Sequence, residues 1–164
     1  FERCGNLARF TSKLADVVRI PEPVRADLSL NELVRSVDAL TRIECRKRNI
    51  SLSLSLADPD TIIRADGIQL EQVLVNIVKN AYEAIGHDGR IRIVTTADPP
   101  SVTVEDNGPG IPEEIRKQLF TPFFTTKPSG QGIGLMFVRE VLNNHRMAFS
   151  LTSQNGCTRF EISV

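Results

Sequence analysis

The chain has 164 residues, 41% of them hydrophobic and 24% charged, a composition that supports one well-buried core and a short appendage. Its 20 basic and 20 acidic residues cancel, which leaves no broad electrostatic footprint for nucleic acid or an anionic membrane. Any polyanion bound here is held locally, by loops and helix ends, and that favours a nucleotide over a polymer.

Cys4, Cys45 and Cys157 are widely spaced and form no C-x-x-C pair, the pattern of reduced cytosolic thiols rather than of a zinc site. No apolar run reaches the length of a membrane span. The chain opens on Phe1, in what reads as the middle of a helix. It is read as a cytoplasmic piece of a longer polypeptide, and any inner-membrane anchor would lie upstream.

Residues 1–18 carry Leu7, Phe10, Leu14 and Val17 at spacings of three, four and three, a helical seam. It fits either a helix packed on its own domain or the end of a dimerisation bundle. "RIPEP" then stops the helix, because two prolines two residues apart cannot continue one. Ser29 and Glu32 form a capping signature, followed by Leu30, Leu33, Val34, Val37 and Leu40 at helical spacing. "ISLSLSL", residues 50–56, alternates as a strand with one wet face. A short strand is expected over 61–65. A long helix is expected over 68–85, with Leu70, Val73, Leu74, Ile77, Ala81 and Ala84 as its core stripe.

Strands follow over 90–96 and 102–106, with "DPP" as the turn between them, and Pro112 opens a short helix at its first position. "FTPFFTTKPSGQG" reads as a loop despite its three phenylalanines, and a helix over 133–144 comes after it. Two strands around Asn155 and Gly156 close the chain as a hairpin. The order predicts a two-layer α/β sandwich, a mixed sheet with helices on one face, plus an N-terminal helical stub.

Three stretches carry candidate chemistry. Gln72, Asn76 and Asn80 stack on one face of the long helix. They are either solvated surface amides or, through an amide oxygen, a ligand for Mg²⁺. In "VTVEDNGPG" the alternation Val102, Val104, Asp106 places a carboxylate on a core face. That aspartate is either a helix N-cap or turn residue or the acceptor for an adenine amine, and Gly108 and Gly110 clear the space a ring would need. "GQGIGL", residues 130–135, sets three glycines before a helix, a backbone cradle for anions. It follows no strand directly and lacks G-K-[ST], so neither a Rossmann nor a Walker reading fits. Lys127 lies on the loop before it, which reads as a lid over phosphates.

Taken in order, "NIVKNA", "DNGPGI", "FTPFFTTK", "GQGIGL" and "NGCTRF" resemble the asparagine, first glycine, phenylalanine, second glycine and final glycine-threonine boxes of sensor histidine kinases. The resemblance covers residues 28–164 and implies the Bergerat ATP-binding fold, shared with DNA gyrase B, Hsp90 and MutL. The "RIPEP" linker resembles the join between bundle and catalytic domain in nitrogen-regulation-type kinases. The implied division is bundle end at 1–20, linker at 21–27 and ATP-binding domain at 28–164.

The resemblance implies Asn80 as the Mg²⁺ ligand, with Asn76 beside the phosphates. It implies Asp106 as the adenine reader, Gly108 and Gly110 as pocket wall, and Thr158 in the water-linked network around the base. Gly132, Gly134 and Leu135 would present the phosphate loop, Lys127 a phosphate contact, and Phe120, Phe123 and Phe124 the docking of the lid. Its cofactors would be ATP and Mg²⁺. Its partners would be a histidine-bearing dimerisation domain of the same polypeptide and a response-regulator receiver, with a possible homodimer through the N-terminal helix. No nucleic acid or direct membrane contact is implied.

Two departures stand out. Glu83 occupies a position that is basic in many such kinases, and "NNHRM" replaces the H-G-G turn. Hydrolases of the fold place a glutamate base four residues before the metal asparagine. Here that position is Asn76, which is no base near neutral pH. A clamp-type ATPase and a degenerate nucleotide-binding module remain as alternatives to the kinase. His87 and His145 both read as surface residues outside any phosphoacceptor setting, so no catalytic residue is assigned.

Overall fold

A computed structural model describes residues 20–128, 130, 132–154 and 156–164. The stub helix expected over 1–18 lies outside the described residues. Strand β1, Ala26–Ser29, pairs antiparallel with β3, Ile62–Ala65, in a two-stranded sheet. The sequence pattern predicts no β1: it is four residues long, lacks apolar alternation and ends on the residue that caps the next helix.

That helix, α1, spans Leu30–Lys47, and Ser29 Oγ accepts the Glu32 N–H at 3.0 Å as the signature requires. Arg46 and Lys47 close its last turn, where cations suit the carbonyl end. Its buried stripe runs Leu30, Leu33, Val34, Val37, Thr41, Cys45. Leu40, predicted to be core, is 58% exposed. A step of four from Val37 lands on Thr41 instead, whose hydroxyl is satisfied by donating to Val37 O at 2.8 Å.

Helix α2, Gly67–Ile85, is capped by Asp66, whose Oδ1 accepts the Gln69 N–H at 3.1 Å. It stops at Gly86, where φ is +77°, a left-handed conformation that glycine adopts without a Cβ penalty. Strands β2 (Ile50–Ser55), β4 (Gly89–Ala97), β5 (Pro100–Asp106), β6 (Ala148–Gln154) and β7 (Cys157–Ser163) form the main sheet in the order β2-β4-β5-β7-β6. β2 and β4 are parallel and the remaining pairs antiparallel, so the sheet is mixed as predicted. A parallel pair needs a crossover, and β3 with α2 supplies it.

Helix α3, Glu113–Arg116, is preceded by Pro112 as its cap residue, one position earlier than the sequence suggested. Helix α4 spans Gly134–His145. α1, α2 and α4 cover the sheet face that carries Ile91, Ile93, Val102, Val104, Phe160 and Ile162, all buried. Ser51, Ser53, Arg90, Arg92 and Thr96 leave the opposite face wet. One apolar layer between sheet and helices is therefore the core, and the ends of β5, β7 and α2 frame a polar corner of it.

Candidate functional site

That corner is set by strand register. On β5 the alternation that buries Val102 and Val104 also turns Asp106 inward, and the carboxylate is only 9% exposed. Pairing of β5 with β7 puts Thr158 directly across from Asp106, and pairing of β7 with β6 puts Ser153 across from Thr158. The three polar side chains thus form one row on the core face of the sheet. Thr158 Oγ1 and Ser153 Oγ lie 3.1 Å apart, and Ser153 Oγ accepts the Ile111 N–H at 2.9 Å. The glycine loop is tied to the sheet through Ser153.

Asp106 Oδ1 accepts the Gly108 N–H at 2.8 Å, and among the described residues no second donor is bonded to the carboxylate. Burial pushes this carboxyl above its ordinary range, and the Gly108 hydrogen bond only partly offsets that. Asp106 lines a cavity of about 80 Å³, whose walls include Ile77, Ala81, Val104, Ile111, Leu151 and Phe160. One buried water needs only about 10–15 Å³, so this space is built for something larger. Its lining is apolar apart from Asp106, Asn80 and Thr158. Such a cavity takes a flat apolar body that donates one hydrogen bond to the carboxylate.

Asn80 sits at the mouth, one turn beyond Asn76. Its Oδ1 accepts from Lys127 Nζ at 3.2 Å, and Lys127 also forms an ion pair with Glu83. An amide oxygen that already holds an ammonium is a fit seat for a cation. The described residues contain no cluster of three or more acidic, histidine or cysteine side chains that would hold a metal by themselves. A hard cation at Asn80 would take its other ligands from phosphates and water. Asn76 donates Nδ2 to Gln72 O at 2.9 Å, and a Cβ on Gly134 would stand 3.2 Å from Asn76 Oδ1. The start of α4 packs closely on α2 here, and a side chain at 134 would require the Asn76 amide to shift by a few tenths of an ångström.

The phenylalanines divide. Phe120 packs on Phe149 and Phe160, with ring centroids 5.3 and 6.3 Å away, and so fixes the loop to the sheet. Phe123 does not dock: it is 46% exposed with φ +63°, its backbone instead lying against Gly132.

A model of the histidine kinase-, DNA gyrase B- and HSP90-like ATPases matches residues 65–164. The chain belongs to this family. Sporulation kinase A of Bacillus subtilis is 34% identical over 97% of this chain and 27% of its own length. The sensor protein FixL of Bradyrhizobium diazoefficiens is 34% identical over 95% of this chain and 32% of its own length. The chain therefore spans about a third of the length of these relatives. The solved catalytic domain of histidine kinase ThkA is 34% identical with a TM-score of 0.78, covering 85% of this chain and 94% of that one. ThkA in complex with the response regulator protein TrrA matches with 27% identity and a TM-score of 0.78, over 99% of this chain and 48% of that one. The fold is that of a sensor histidine kinase's ATP-binding catalytic domain.

Within this kinase-like domain, Asn80, Asp106, Gly110, Leu135 and Thr158 meet in one cavity. Asn76 does not line it; it faces a neighbouring groove with Gln72, Val75 and Phe137. Gly108 lies behind Asp106, where a Cβ would stand 2.8 Å from the carboxylate. Ala84, predicted as core, is exposed at the cavity wall. Ser153 was missed, although its inward place on β6, two residues beyond Leu151, was a readable signal. His145 corrects the surface reading. It is 7% exposed, its Nε2 accepts the Asp66 N–H at 3.1 Å, and Nδ1 lies 2.8 Å from Val141 O.

Proposed function

We propose that this domain binds ATP with Mg²⁺ and transfers the γ-phosphate to a histidine on a dimerisation domain of the same polypeptide. The observation that carries the reading is the buried Asp106 carboxylate, held by one backbone N–H and lining an apolar cavity. Adenine's exocyclic amine supplies the missing donor, in a charge-assisted bond of about 1.5–3 kcal/mol. Thr158 and Ser153 carry hydroxyls beside that edge of the base.

Asn80 Oδ1 would hold the metal, which neutralises charge on the phosphates when bound. Gly132 and Gly134 expose backbone at the start of α4 toward the phosphate tail, with Asn76 alongside. This chain's own part in the transfer is to orient the nucleotide and to keep water from one side of it. Asn76 cannot draw a proton from water, and its amide is occupied by Gln72 O, so slow hydrolysis is expected.

The same reading assigns residues 1–20 to the bundle end and 21–27 to a linker, with a receiver domain as the downstream partner. ThkA is described in complex with such a regulator, which supports the assignment. A phosphotransfer assay tests the proposal: labelled ATP is added to this chain together with a separate histidine-bearing bundle from the full polypeptide. Label on the bundle is expected. Phosphate release that does not need the bundle would replace the kinase with a hydrolase, and no nucleotide binding would remove both.

A further inference from the structure

Three side chains of α2 and one on the loop after α3 come together beside the cavity mouth. Asn80 and Glu83 are three apart, so both point the same way, and Lys79 lies a turn before Glu83. Lys127 Nζ is bonded to Asn80 Oδ1 at 3.2 Å and ion-paired with one Glu83 carboxylate oxygen, while Lys79 Nζ stands 3.9 Å from the other. Glu83 is 28% exposed and Lys127 39%, so the pair is partly shielded from solvent. The loop is shaped to present this lysine. Its N–H donates to Thr125 Oγ1 at 3.1 Å and its carbonyl accepts the Gly130 N–H at 3.1 Å.

We propose that Asn80 Oδ1 is a cation seat used in turn by Lys127 and by Mg²⁺, with Glu83 as the positioning residue that draws the lysine into it. This rests on the nucleotide reading above and deepens it. One amide oxygen at this mouth cannot contact both an ammonium and a small divalent ion, because the two cations repel at such range. Metal-bound nucleotide therefore displaces Lys127 from Asn80, and its phosphates then give the lysine a new partner. Glu83 sets the threshold. A carboxylate here lowers the fraction of chains whose seat is open and so raises the Mg²⁺ concentration required. It also explains how an acidic side chain is tolerated beside a phosphate site, since two lysines bracket it.

The test is a double-mutant cycle, Glu83→Gln, Lys127→Met and both, read without nucleotide by hydrogen exchange at the Lys127 and Gly130 amides. Each single variant is expected to speed exchange by about two- to fivefold, the range of a partly exposed ion pair, and the double variant by no more than either. Additive effects, or none, overturn the proposal whatever the nucleotide does. Mg²⁺ is then titrated into the wild-type chain and Glu83→Gln at fixed ADP, followed by calorimetry. The midpoint of Glu83→Gln is expected about two- to fivefold lower. A higher midpoint would mean that Glu83 serves the metal itself, which also overturns the exchange. If the wild-type chain binds no ADP at any Mg²⁺ concentration, the nucleotide reading falls, and the exchange cycle still decides the ion pair.

Discussion

Gly108 N–H donates to Asp106 Oδ1 at 2.8 Å, and this single bond is all that the described residues offer a carboxylate 9% exposed. A buried charge held so sparingly costs stability, and the cost is tolerated where function requires it. Asp106→Asn keeps the shape and the Gly108 bond while removing the charge. It is expected to stabilise the chain by about 1 kcal/mol in urea melts at neutral pH. It is also expected to cost about 1.5–3 kcal/mol of ADP affinity by calorimetry. Equal affinity for the two proteins would remove the purine assignment.

The same carboxyl gives a pH dependence in which stability and binding move in opposite directions. Burial raises the Asp106 value above the ordinary 3.8, with the Gly108 N–H opposing it. For this group, the folded state is favoured at low pH and loses that contribution as pH rises through the raised value. Binding needs the ionised acceptor, so ADP affinity should fall as pH drops through that value. Calorimetry across the mildly acidic range checks this. Asp106→Asn should show no such fall.

Asp66 shows the reverse behaviour. Burial raises its carboxyl, but the N–H groups of Gln69, Val24 and Ile68, together with His145, outweigh burial and hold it below the ordinary 3.8. Its two oxygens cap α2 through Gln69 and pin the linker through Val24, while its own N–H reaches His145 at the end of α4. The stability it contributes is present above the unfolded value and lost as pH falls through the lowered one. Asp66→Ala should cost about 1–2 kcal/mol at neutral pH. Urea melts should show the two proteins converging below pH 3.8.

Legibility in the sequence followed how local the cause was. Capping by Ser29, the alternation of β2 and the inward turn of Asp106 depend on neighbours within a few residues, and they read correctly. β1 exists only because β3 lies beside it, with Ala26 opposite Ala65, and nothing in "ADLS" announces that pairing. His145 reads as a surface residue until α4 is laid against the start of α2, where the Asp66 N–H meets its ring. The same holds for the mouth of the cavity. Lys127 and Glu83 are 44 residues apart. In sequence the lysine reads as a phosphate ligand and the glutamate as the loss of one, and neither reads as the other's partner. The candidate residues were visible as types, and their pairing was not.

Gly132 supplies the last prediction. Its φ is +66°, and a Cβ there would lie 2.4 Å from the Phe123 carbonyl carbon, 2.6 Å from its Cα and 2.7 Å from its oxygen. Those atoms are backbone and cannot rotate away as a side chain would. An alanine at 132 therefore forces the loop to move, in addition to the left-handed strain of about 1–2 kcal/mol. Among the described residues none of the fully buried core side chains belongs to this loop, so the cost of Gly132→Ala in urea melts should stay near that strain, about 1–2 kcal/mol. It should expose the loop to proteolysis after Lys127 and weaken ADP binding. Gly156→Ala is the contrasting variant. It has a comparable φ of +70° at the β6–β7 turn, but a Cβ there meets nothing within 4 Å. It should lower stability by about 1 kcal/mol through strain alone and leave ADP affinity unchanged. If the two alanines affected binding equally, close packing of Gly132 against Phe123 would not be what seats the loop.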